Sequence, residues 1–411
     1  MSEARPWLTL GAADRAHFEW TARAPVQKIV HALELARPGA SRFVGGCVRD
    51  SLLGETPKDI DIATALTPEA VIGALHAAGL SAAPTGLDHG TVTGIADHVG
   101  VEITTLRADV ATDGRRATVA YTEDWSVDAA RRDFRLNAIY LAFDGKLFDP
   151  VGGVADAKAG RVRFIGEPAD RICEDYLRIL RFFRFSARFA SGFDAEGLAA
   201  CAAFARGMDI LSAERVGDEF CRILAHPNAP LAVDAMAATG VLVEVWPNAA
   251  DRKTFRRLKE LDPSAAAPVG IAALFGAGDE GLDRRLRLSK ANAARRKRAL
   301  QSAEAAPSMS LKAARAHLYR AGVQSYRDGL LVCRARGAPG DWAMLASVPD
   351  RHAPPPFTVS GKHVVALGVA PGPDVAATAK DVEARWIAED FPGEPRLQEL
   401  LREAVARRGA V

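Results

Sequence analysis

The chain has 411 residues, of which 48% are hydrophobic and 25% are charged, a composition typical of a globular protein with room for several domains. Its 53 Lys and Arg against 51 Asp and Glu leave a formal net charge of +2, which excludes a chain-wide field attracting nucleic acids, so any basic surface must be local. No apolar stretch approaches a membrane span, so we expect neither insertion nor export. Cysteines without a Cys-x-x-Cys pair argue against a zinc knuckle or disulfide framework and favour a reducing cytoplasm: Cys47, Cys173, Cys201, Cys221 and Cys333.

Short β-rich runs dominate the first part of the chain. The runs "SRFVGG" at 41–46 and "DIDIAT" at 59–64 are typical of strands, and alternating apolar and polar residues over 91–107 predict a hairpin. Residues 137–153 supply further strand and turn material. From about residue 168, apolar residues recur at helical spacing, and helices dominate to the end. The predicted fold class is therefore α+β, with a small mixed sheet followed by an all-helical remainder.

Two glycines follow the first of these predicted strands, in the stretch "RFVGGCVRDSLLGETPKDIDIAT" at 42–64. Gly45 and Gly46 lie between a strand and a helix, where backbone N–H groups can approach a triphosphate because no Cβ intervenes. Arg49, one helical turn further on, is placed to reach the same phosphates. We therefore predict that Gly45, Gly46 and Arg49 bind a nucleotide.

Two aspartates follow the predicted helix. Asp59 and Asp61 should point to the same face of a strand because side chains alternate, and adjacent carboxylates repel each other unless a cation lies between them. The predicted cation is Mg²⁺, which prefers oxygen ligands and substrate phosphates and would serve an in-line displacement that releases pyrophosphate. Glu102, in a neighbouring predicted strand, is the candidate third carboxylate. The predicted catalytic residues are thus Asp59, Asp61 and Glu102, with Asp59 and Asp61 as metal ligands.

Each of these signals has a structural alternative. A Gly-Gly pair after a strand is usually a tight turn, Asp-x-Asp alone is usually an exposed strand or loop, and Glu102 is as readily a solvent-facing residue. The combination is more specific, because a Rossmann fold would require Gly-x-Gly-x-x-Gly and a P-loop Gly-Lys-Ser/Thr, and this stretch contains neither. We therefore favour the functional interpretation.

With this motif, the chain resembles the class II tRNA nucleotidyltransferases, which are CCA-adding enzymes, and the related bacterial poly(A) polymerases. Residues 45–61 match the family pattern Gly-Gly-x-Val-Arg-Asp-x-Leu-Leu-Gly followed by Asp-x-Asp. Arg135 departs from the family, which usually has threonine there. Further segments that resemble family motifs are "RRDFRLNA" at 131–138, "DPVGGVADAKAGRVRFIG" at 149–166, "EDYLRILRFFRF" at 174–185 and "SAERVGDEF" at 212–220.

The resemblance also implies a domain organisation. It implies a polymerase beta-like nucleotidyltransferase head at 25–165 after an N-terminal extension at 1–24, and a helical neck with a base-recognition helix at 166–250. An RNA-binding body at 251–350 and a tRNA-binding tail at 351–411 complete it. Residues 107–124 resemble the family's flexible loop, which is implied to help switch the pocket from C to A, although an ordinary hairpin tip is the alternative.

The segment at 131–138 is suited to binding a sugar. The Asp133 carboxylate can accept a hydrogen bond from a ribose 2′-hydroxyl, while Arg132 and Asn137 add donors for phosphate or sugar oxygens. These groups favour ribonucleotides over deoxyribonucleotides. The alternative is a charged turn with an internal ion pair.

The segment at 174–185 is suited to reading a base. Asp175 and Arg178 are three residues apart on a predicted helix and should share a face, where such pairs are ordinarily worth at most about 0.5 kcal/mol. One carboxylate and one guanidinium match the amino donor and adjacent acceptor of cytosine and adenine, and they mismatch uracil and guanine. The resemblance implies this role for Asp175 and Arg178 and adds Arg181 as a phosphate or base contact.

The stretch "RRLRLSKANAARRKRAL" at 284–300 is dense in Lys and Arg and predicts a local stripe for the tRNA backbone, although many such runs are only solvated helix faces. The predicted activity is addition of C, C and A from CTP and ATP to the tRNA 3′ end with Mg²⁺. The alternatives are a poly(A) polymerase and a non-catalytic tRNA-binding protein. The sequence leaves the oligomeric state open.

Overall fold

The computed structural model describes residues 6–112, 117–276, 281–306 and 309–409. The chain divides into two compact units. The first consists of Met1–Ile223 and Leu231–Pro247, and the second of Leu224–Pro230 and Asn248–Val411. Among the residues described, no helix is both long enough and apolar enough to cross a membrane.

The described strands all lie in the first unit. They are β1 (Trp7–Thr9), β2 (Ser41–Val44), β3 (Asp61–Thr64), β4 (Ser81–Gly86), β5 (Thr91–Ala96), β6 (Val99–Thr105), β7 (Arg107–Thr112), β8 (Ala117–Tyr121), β9 (Tyr140–Ala142) and β10 (Lys146–Phe148). Eight of them form one sheet in the order β1-β10-β9-β2-β3-β6-β5-β4, while β7 and β8 pair separately. The predicted flexible loop corresponds to β7 and β8, and its residues 113–116 lie outside the described residues.

The sheet is mixed, as the sequence predicts, because β3 and β6 are parallel while its other neighbouring strands are antiparallel. It is wider than expected. The edge strand β1 pairs with β10, so residues before the predicted head contribute to the same sheet. Strand β4, which carries little β-branched character, forms the other edge by pairing with β5.

The helices up to residue 245 lie between the strands in the chain or after the last strand. They are α1 (Ala12–Arg15), α2 (Ala24–Ala36), α3 (Gly46–Leu52), α4 (Pro68–Ala77), α5 (Trp125–Ala130), α6 (Gly153–Lys158), α7 (Pro168–Glu174), α8 (Leu177–Phe189), α9 (Ala195–Ala203), α10 (Ala213–Ala225), α11 (Ala229–Ala238) and α12 (Val241–Val245). Short 3₁₀ helices lie at Ala16–Ala22, Leu87–His89, Arg135–Asn137 and Ala205–Ile210.

One face of the β5–β6 hairpin packs against α2 and α4, and residues of the other face are partly buried or exposed. Val92 and Ile103 are buried on the packed face, because apolar residues alternate along each strand. Glu102 precedes Ile103 on β6, so its side chain points to the opposite face, and Asp61 at the start of β3 pairs with Glu102 on that same face. Both carboxylates therefore lie on the face of the sheet that is opposite Val92 and Ile103.

An aromatic cluster fixes α8 beside the sheet. The Phe134 and Phe164 ring centroids lie 4.8 Å apart, and Phe164 stacks on Phe182 of α8 at 5.5 Å. Phe185, one turn further along α8, contacts Phe134 edge to face at 5.4 Å. Buried aromatic pairs of this kind contribute roughly 0.5–1.5 kcal/mol each beyond area burial, so α8 is held firmly against the segment at 131–138.

The second unit is helical, which confirms the predicted fold class. Its helices are α13 (Arg252–Leu261), α14 (Ala267–Phe275), α15 (Leu282–Arg285), α16 (Lys290–Ala305), α17 (Leu311–Ala321), α18 (Val323–Ala335), α19 (Trp342–Arg351), α20 (Gly361–Ala366), α21 (Pro373–Ala388) and α22 (Glu394–Gly409). One buried cluster includes Leu258, Tyr326 and Leu345. Another surrounds Trp386 and Leu400 near the carboxyl end.

Candidate active site

A cleft of about 470 Å³ in the first unit collects most of the residues that the sequence singles out. Its walls come from α3, the segment at 131–138, the junction of α7 with α8, and α10. Ten predicted residues line it: Gly45, Gly46, Arg49, Asp61, Arg132, Asp133, Asn137, Asp175, Arg178 and Arg181. Five other residues complete the lining, and the sequence analysis did not select them: Arg131, Leu177, Arg184, Phe185 and Arg215. Asp59 and Glu102 are not among the lining residues.

The glycine pair opens one end of the cleft. Gly45 has φ 72° and ψ −122°, a backbone conformation that residues with a Cβ rarely adopt. Its N–H donates to the Ile139 carbonyl at 3.1 Å, and α3 begins at the next residue. The start of α3 at Gly46 therefore lies at the edge of the cleft, where the N–H groups of a helix amino terminus suit an anion.

We expect Gly45→Ala to lower the free energy of unfolding by about 1–3 kcal/mol, because alanine is strained at this φ and ψ. Gly46→Ala is the matched control. Gly46 is helical, and an added Cβ there would meet only the Arg49 Nη2 atom, at 3.8 Å. Urea unfolding of both variants measures the difference. Equal stability of the two variants would contradict the assignment of strain to Gly45.

Arg49 and Asn137 connect this end of the cleft to the sugar-binding segment. Arg49 is 5% exposed, and its Nη1 atom donates to Asn137 Oδ1. The Asn137 amide in turn donates to Asp133 Oδ1 at 3.0 Å. Burial lowers the pKa of Arg49 and the adjacent Asp50 carboxylate raises it, with a net pKa below the ordinary value.

Asp133 lies at the centre of the cleft wall. Its Oδ1 atom also accepts from the Phe134 N–H at 2.8 Å, and its Oδ2 atom accepts from Arg181 Nε at 2.7 Å. Burial would raise the pKa of Asp133, but the Arg181 guanidinium and the Asn137 amide outweigh it and hold this pKa below the usual value. The carboxylate is therefore ionised at neutral pH and acts as a hydrogen-bond acceptor.

The sequence analysis missed Asp128, which holds two arginines of the cleft. Asp128 is 1% exposed and accepts from Arg131 Nε at 2.9 Å, from Arg132 Nη2 at 2.9 Å and from the Tyr140 hydroxyl at 2.8 Å. Burial opposes its ionisation, but the charges of Arg132 and Arg131 outweigh burial and lower the pKa of Asp128 to about 2. The signal in the sequence was an aspartate three and four residues before two arginines, the spacing of helical ion pairs.

Asp175 and Arg178 do not share a helix face, so that prediction is wrong. The helix breaks at Asp175, which has an extended backbone with φ −157° and ψ 104° between α7 and α8. The Arg178 guanidinium donates to the Arg131 carbonyl at 3.1 Å and to the Arg171 carbonyl at 2.9 Å. Both side chains nevertheless line the same cleft.

Arg215 is a further residue of this wall that was not expected from the sequence. Its Nη2 atom donates to Asp175 Oδ2 at 2.7 Å. Arg215 lies in α10, forty residues away in sequence. It belongs to the segment "SAERVGDEF", which resembles a family motif, but no periodicity or spacing links it to Asp175.

The predicted carboxylates are arranged differently from the expectation. Asp61 is the first residue of β3 and pairs in register with Glu102 on the parallel strand β6. Asp59 is exposed and precedes β3, so the argument from strand alternation is wrong for Asp59. On the β2 side, pairing stops before Asp59 because β2 ends at Val44 and the chain turns at Gly45 into α3. On the β6 side, the Glu102 N–H still donates to the Ile60 carbonyl at 3.1 Å.

The charges around Asp61 fit a divalent cation. Burial, the charge of Glu102 and that of Asp59 raise the pKa of Asp61 to about 6, against the opposing charges of Arg132 and Arg49. Within the described residues, no three Asp, Glu, His or Cys side chains are close enough to form a complete metal site. Asp59, Asp61 and Glu102 are thus not close enough together in the structure to hold a cation as a set of three.

Comparisons with known proteins agree with this geometry. Residues 41–163 match the family described as the poly(A) polymerase head domain, and residues 193–253 match the probable RNA and SrmB-binding site of polymerase A. The mitochondrial CCA tRNA nucleotidyltransferase 1 of Mus musculus is 34% identical over 369 residues, which cover 84% of this chain and 82% of the mouse protein. The CCA-adding enzyme of Levilactobacillus brevis is 29% identical over 378 residues, covering 86% of this chain and 90% of that enzyme.

A solved structure has the same fold. The CCA-adding enzyme of Bacillus stearothermophilus in complex with CTP is 25% identical, with a TM-score of 0.75, and the match covers 95% of this chain and 100% of that chain. The mixed sheet, the glycine turn into α3 and the cleft beside Asp61 thus define a nucleotidyltransferase with a polymerase beta-like head. On the similarity to the mouse enzyme over most of both proteins, the chain belongs to the family of CCA-adding tRNA nucleotidyltransferases.

Proposed function

We propose that the protein adds C, C and A to the 3′ end of tRNA from CTP and ATP, with release of pyrophosphate. The observation that carries this proposal is the composition of one cleft. It contains, side by side, the glycine turn and Arg49 for phosphates, Asp133 for a ribose, and Asp175 with Arg178 for a base. A nucleoside triphosphate presents a triphosphate, a ribose and a base, which need these three kinds of contact.

In this reaction the 3′-hydroxyl of tRNA attacks the α-phosphorus, and the bond to the leaving pyrophosphate breaks. The N–H groups of the first turn of α3 and the Arg49 guanidinium bind the triphosphate. Asp133 accepts the ribose 2′-hydroxyl. Arg132, held by Asp128, donates to phosphate or sugar oxygens, and Arg181 is a further donor.

Nucleotidyltransferases of this kind use a divalent metal ion. We propose Mg²⁺, held by Asp59 and Asp61, while Glu102 acts on Asp61 through its charge from the neighbouring strand. The ion would activate the attacking hydroxyl and stabilise the leaving pyrophosphate. Asp59 lies just before β3, whereas Asp61 and Glu102 lie in register on the parallel strands β3 and β6.

Side chains of the protein select the base, without a nucleic-acid template. The Asp175 carboxylate accepts from the amino group of cytosine or adenine, and the Arg178 guanidinium donates to the adjacent ring nitrogen. Uracil and guanine present a carbonyl to the carboxylate and an N–H to the arginine, so they leave buried polar groups unpaired. Arg215, which donates to Asp175, fixes the carboxylate in the cleft wall.

A gel assay tests this function. Purified protein with Mg²⁺ and a tRNA transcript that lacks its 3′ CCA is supplied with CTP alone, ATP alone, or both. We expect two additions with CTP alone and a stop at three with both nucleotides. A long ladder with ATP alone would indicate the alternative, a poly(A) polymerase, and no extension in any lane would indicate a non-catalytic tRNA-binding protein.

The tRNA backbone is the proposed partner of the basic stretch at 284–300. Lys297 and Arg298 of α16 are exposed, whereas Arg296 is buried and donates to Asp283 at 3.1 Å. Arg295 also has an internal partner, because its Nε atom donates to Asp328 at 2.8 Å. Of these four residues, Lys297 and Arg298 are therefore accessible to a partner, whereas Arg295 and Arg296 form ion pairs within the protein.

We expect Lys297→Ala and Arg298→Ala each to weaken tRNA binding and to reduce the slope of log affinity against log salt by roughly 1. Binding is measured by filter retention over a salt series. Arg295→Ala is the comparison, since loss of its ion pair with the buried Asp328 should lower stability instead. An unchanged salt slope in both exposed variants would show that tRNA does not contact this face of α16.

The cytoplasmic location favoured by the cysteine pattern stays a prediction. All five cysteines are free in the structure, with Cys47, Cys201 and Cys333 buried. The matched relatives include a mitochondrial protein.

A further inference from the structure

Asp50, the residue after Arg49, is 7% exposed and binds the guanidinium of Arg49. Its Oδ1 atom accepts from Arg49 Nε at 2.9 Å and from Arg49 Nη2 at 2.6 Å. Two donors on one oxygen fix the plane of the guanidinium. The remaining nitrogen, Nη1, is the one that donates to Asn137 at the cleft.

The second oxygen of Asp50 binds the far end of α8. Asp50 Oδ2 accepts from Arg188 Nη2 at 3.1 Å, and the same nitrogen donates to Glu55 Oε2 at 2.6 Å. The Phe189 ring lies against both arginines, with the Arg188 and Arg49 guanidinium carbons 4.5 Å and 4.4 Å from its centroid. One carboxylate and one ring therefore hold Arg49 and Arg188 in a common arrangement.

The Asp50 carboxylate compensates the positive charge of the buried Arg49. Arg49 is buried, and the positive charges of Arg188 and Arg184 disfavour its ionised form. The nearest compensating charge is the Asp50 carboxylate. Without it, two guanidinium groups would share the same ring and repel each other, and Arg49 would turn away from its present direction.

We propose that Asp50 and Arg188 are positioning residues that aim Arg49 at the triphosphate of the bound nucleotide. This inference rests on the proposed function of the cleft. Helix α8 carries Arg178 and Arg181 near its start and Arg188 at its end, so one rigid element links the base-reading wall to the phosphate-binding arginine.

The test compares nucleotides that differ only in their phosphates. Binding of CTP and of CMP to wild type and Asp50→Asn is measured by isothermal titration calorimetry with Mg²⁺ and without tRNA, so that no transfer occurs. We expect CTP affinity to fall about tenfold, which corresponds to about 1.4 kcal/mol, while CMP affinity stays the same. Arg188→Met should show a smaller loss in the same direction. Asp97→Asn, which removes a surface ion pair with Lys28 at 2.9 Å, is the matched control and should bind both ligands normally.

A double variant separates positioning from a general structural effect. In an Arg49→Met background, Asp50→Asn should cause no further loss of CTP affinity, because the residue acts through Arg49. Equal losses for CTP and CMP, or a further loss in the double variant, would overturn the proposal. If Asp50→Asn does not fold, Arg188→Met alone decides, and normal CTP binding by that variant would overturn it. A wild type that binds no CTP would instead overturn the proposed function.

Discussion

Replacing Asp61 by asparagine is expected to lower the rate of nucleotide transfer on the order of 10³-fold or more. Asparagine keeps the shape of the side chain but removes the charge proposed to hold Mg²⁺, and metal stabilisation of the transition state is worth several kcal/mol. The fold should tolerate the change. Burial and the charges of Glu102 and Asp59 raise the pKa of Asp61, so at neutral pH this carboxylate is held in an unfavourable environment that a neutral side chain relieves. The rate is measured by single-turnover incorporation of CMP into a tRNA lacking CCA.

The thermal melt supplies a second readout for Asp61. Mg²⁺ should raise the melting temperature of the wild type, because a ligand that binds only the folded state stabilises it, and this rise should be reduced in Asp61→Asn. Asp97→Asn, at an exposed position of the same unit, should melt and react as the wild type does. Full activity of Asp61→Asn, with an unchanged rise of the melting temperature in Mg²⁺, would exclude Asp61 as a metal ligand.

The second large effect concerns the choice of base. Asp175→Ala is expected to lower the preference for CTP over UTP by roughly 10²-fold or more, because sites built to pair a substrate's polar groups discriminate by factors of about 10⁴–10⁵. The change removes the acceptor for the amino group of cytosine and also the repulsion of the uracil carbonyl. The ratio of kcat/KM for the two nucleotides on one tRNA measures it.

Asp209 supplies the control for this experiment. Asp209 is exposed on a 3₁₀ helix of the same unit and does not line the cleft, so Asp209→Ala should keep the wild-type preference. A variant at Asp175 that loses rate for CTP and UTP equally would contradict base reading. That result would leave Asp175 with only a structural role beside Arg215.

Local features of the site could be predicted because they depend on neighbours in sequence. The glycine turn into α3 needs only the positive φ of Gly45, and the hydrogen bond between Asp133 and Asn137 spans one turn of chain. The mixed sheet followed by helices could likewise be predicted from hydrophobic periodicity. These features are short-range, so spacing alone carries the information.

Features set by distant parts of the chain could not be predicted. Asp59 leaves the strand because β2 has already turned away, and Asp175 leaves the helix at a break between α7 and α8 that apolar spacing does not mark. Arg215 reaches Asp175 across forty residues, and Arg188 reaches Asp50 across 138. Such contacts depend on packing in three dimensions, which one sequence does not encode in its spacing.

We propose that the cleft selects C, C and then A without a template. The most direct test incubates the purified protein with a tRNA transcript lacking CCA and all four nucleoside triphosphates at equal concentration, and then sequences the product 3′ ends. We predict that the ends read CCA, with U and G absent and no extension beyond A. Ends of mixed sequence, or runs of A, would contradict selection by Asp175 and Arg178.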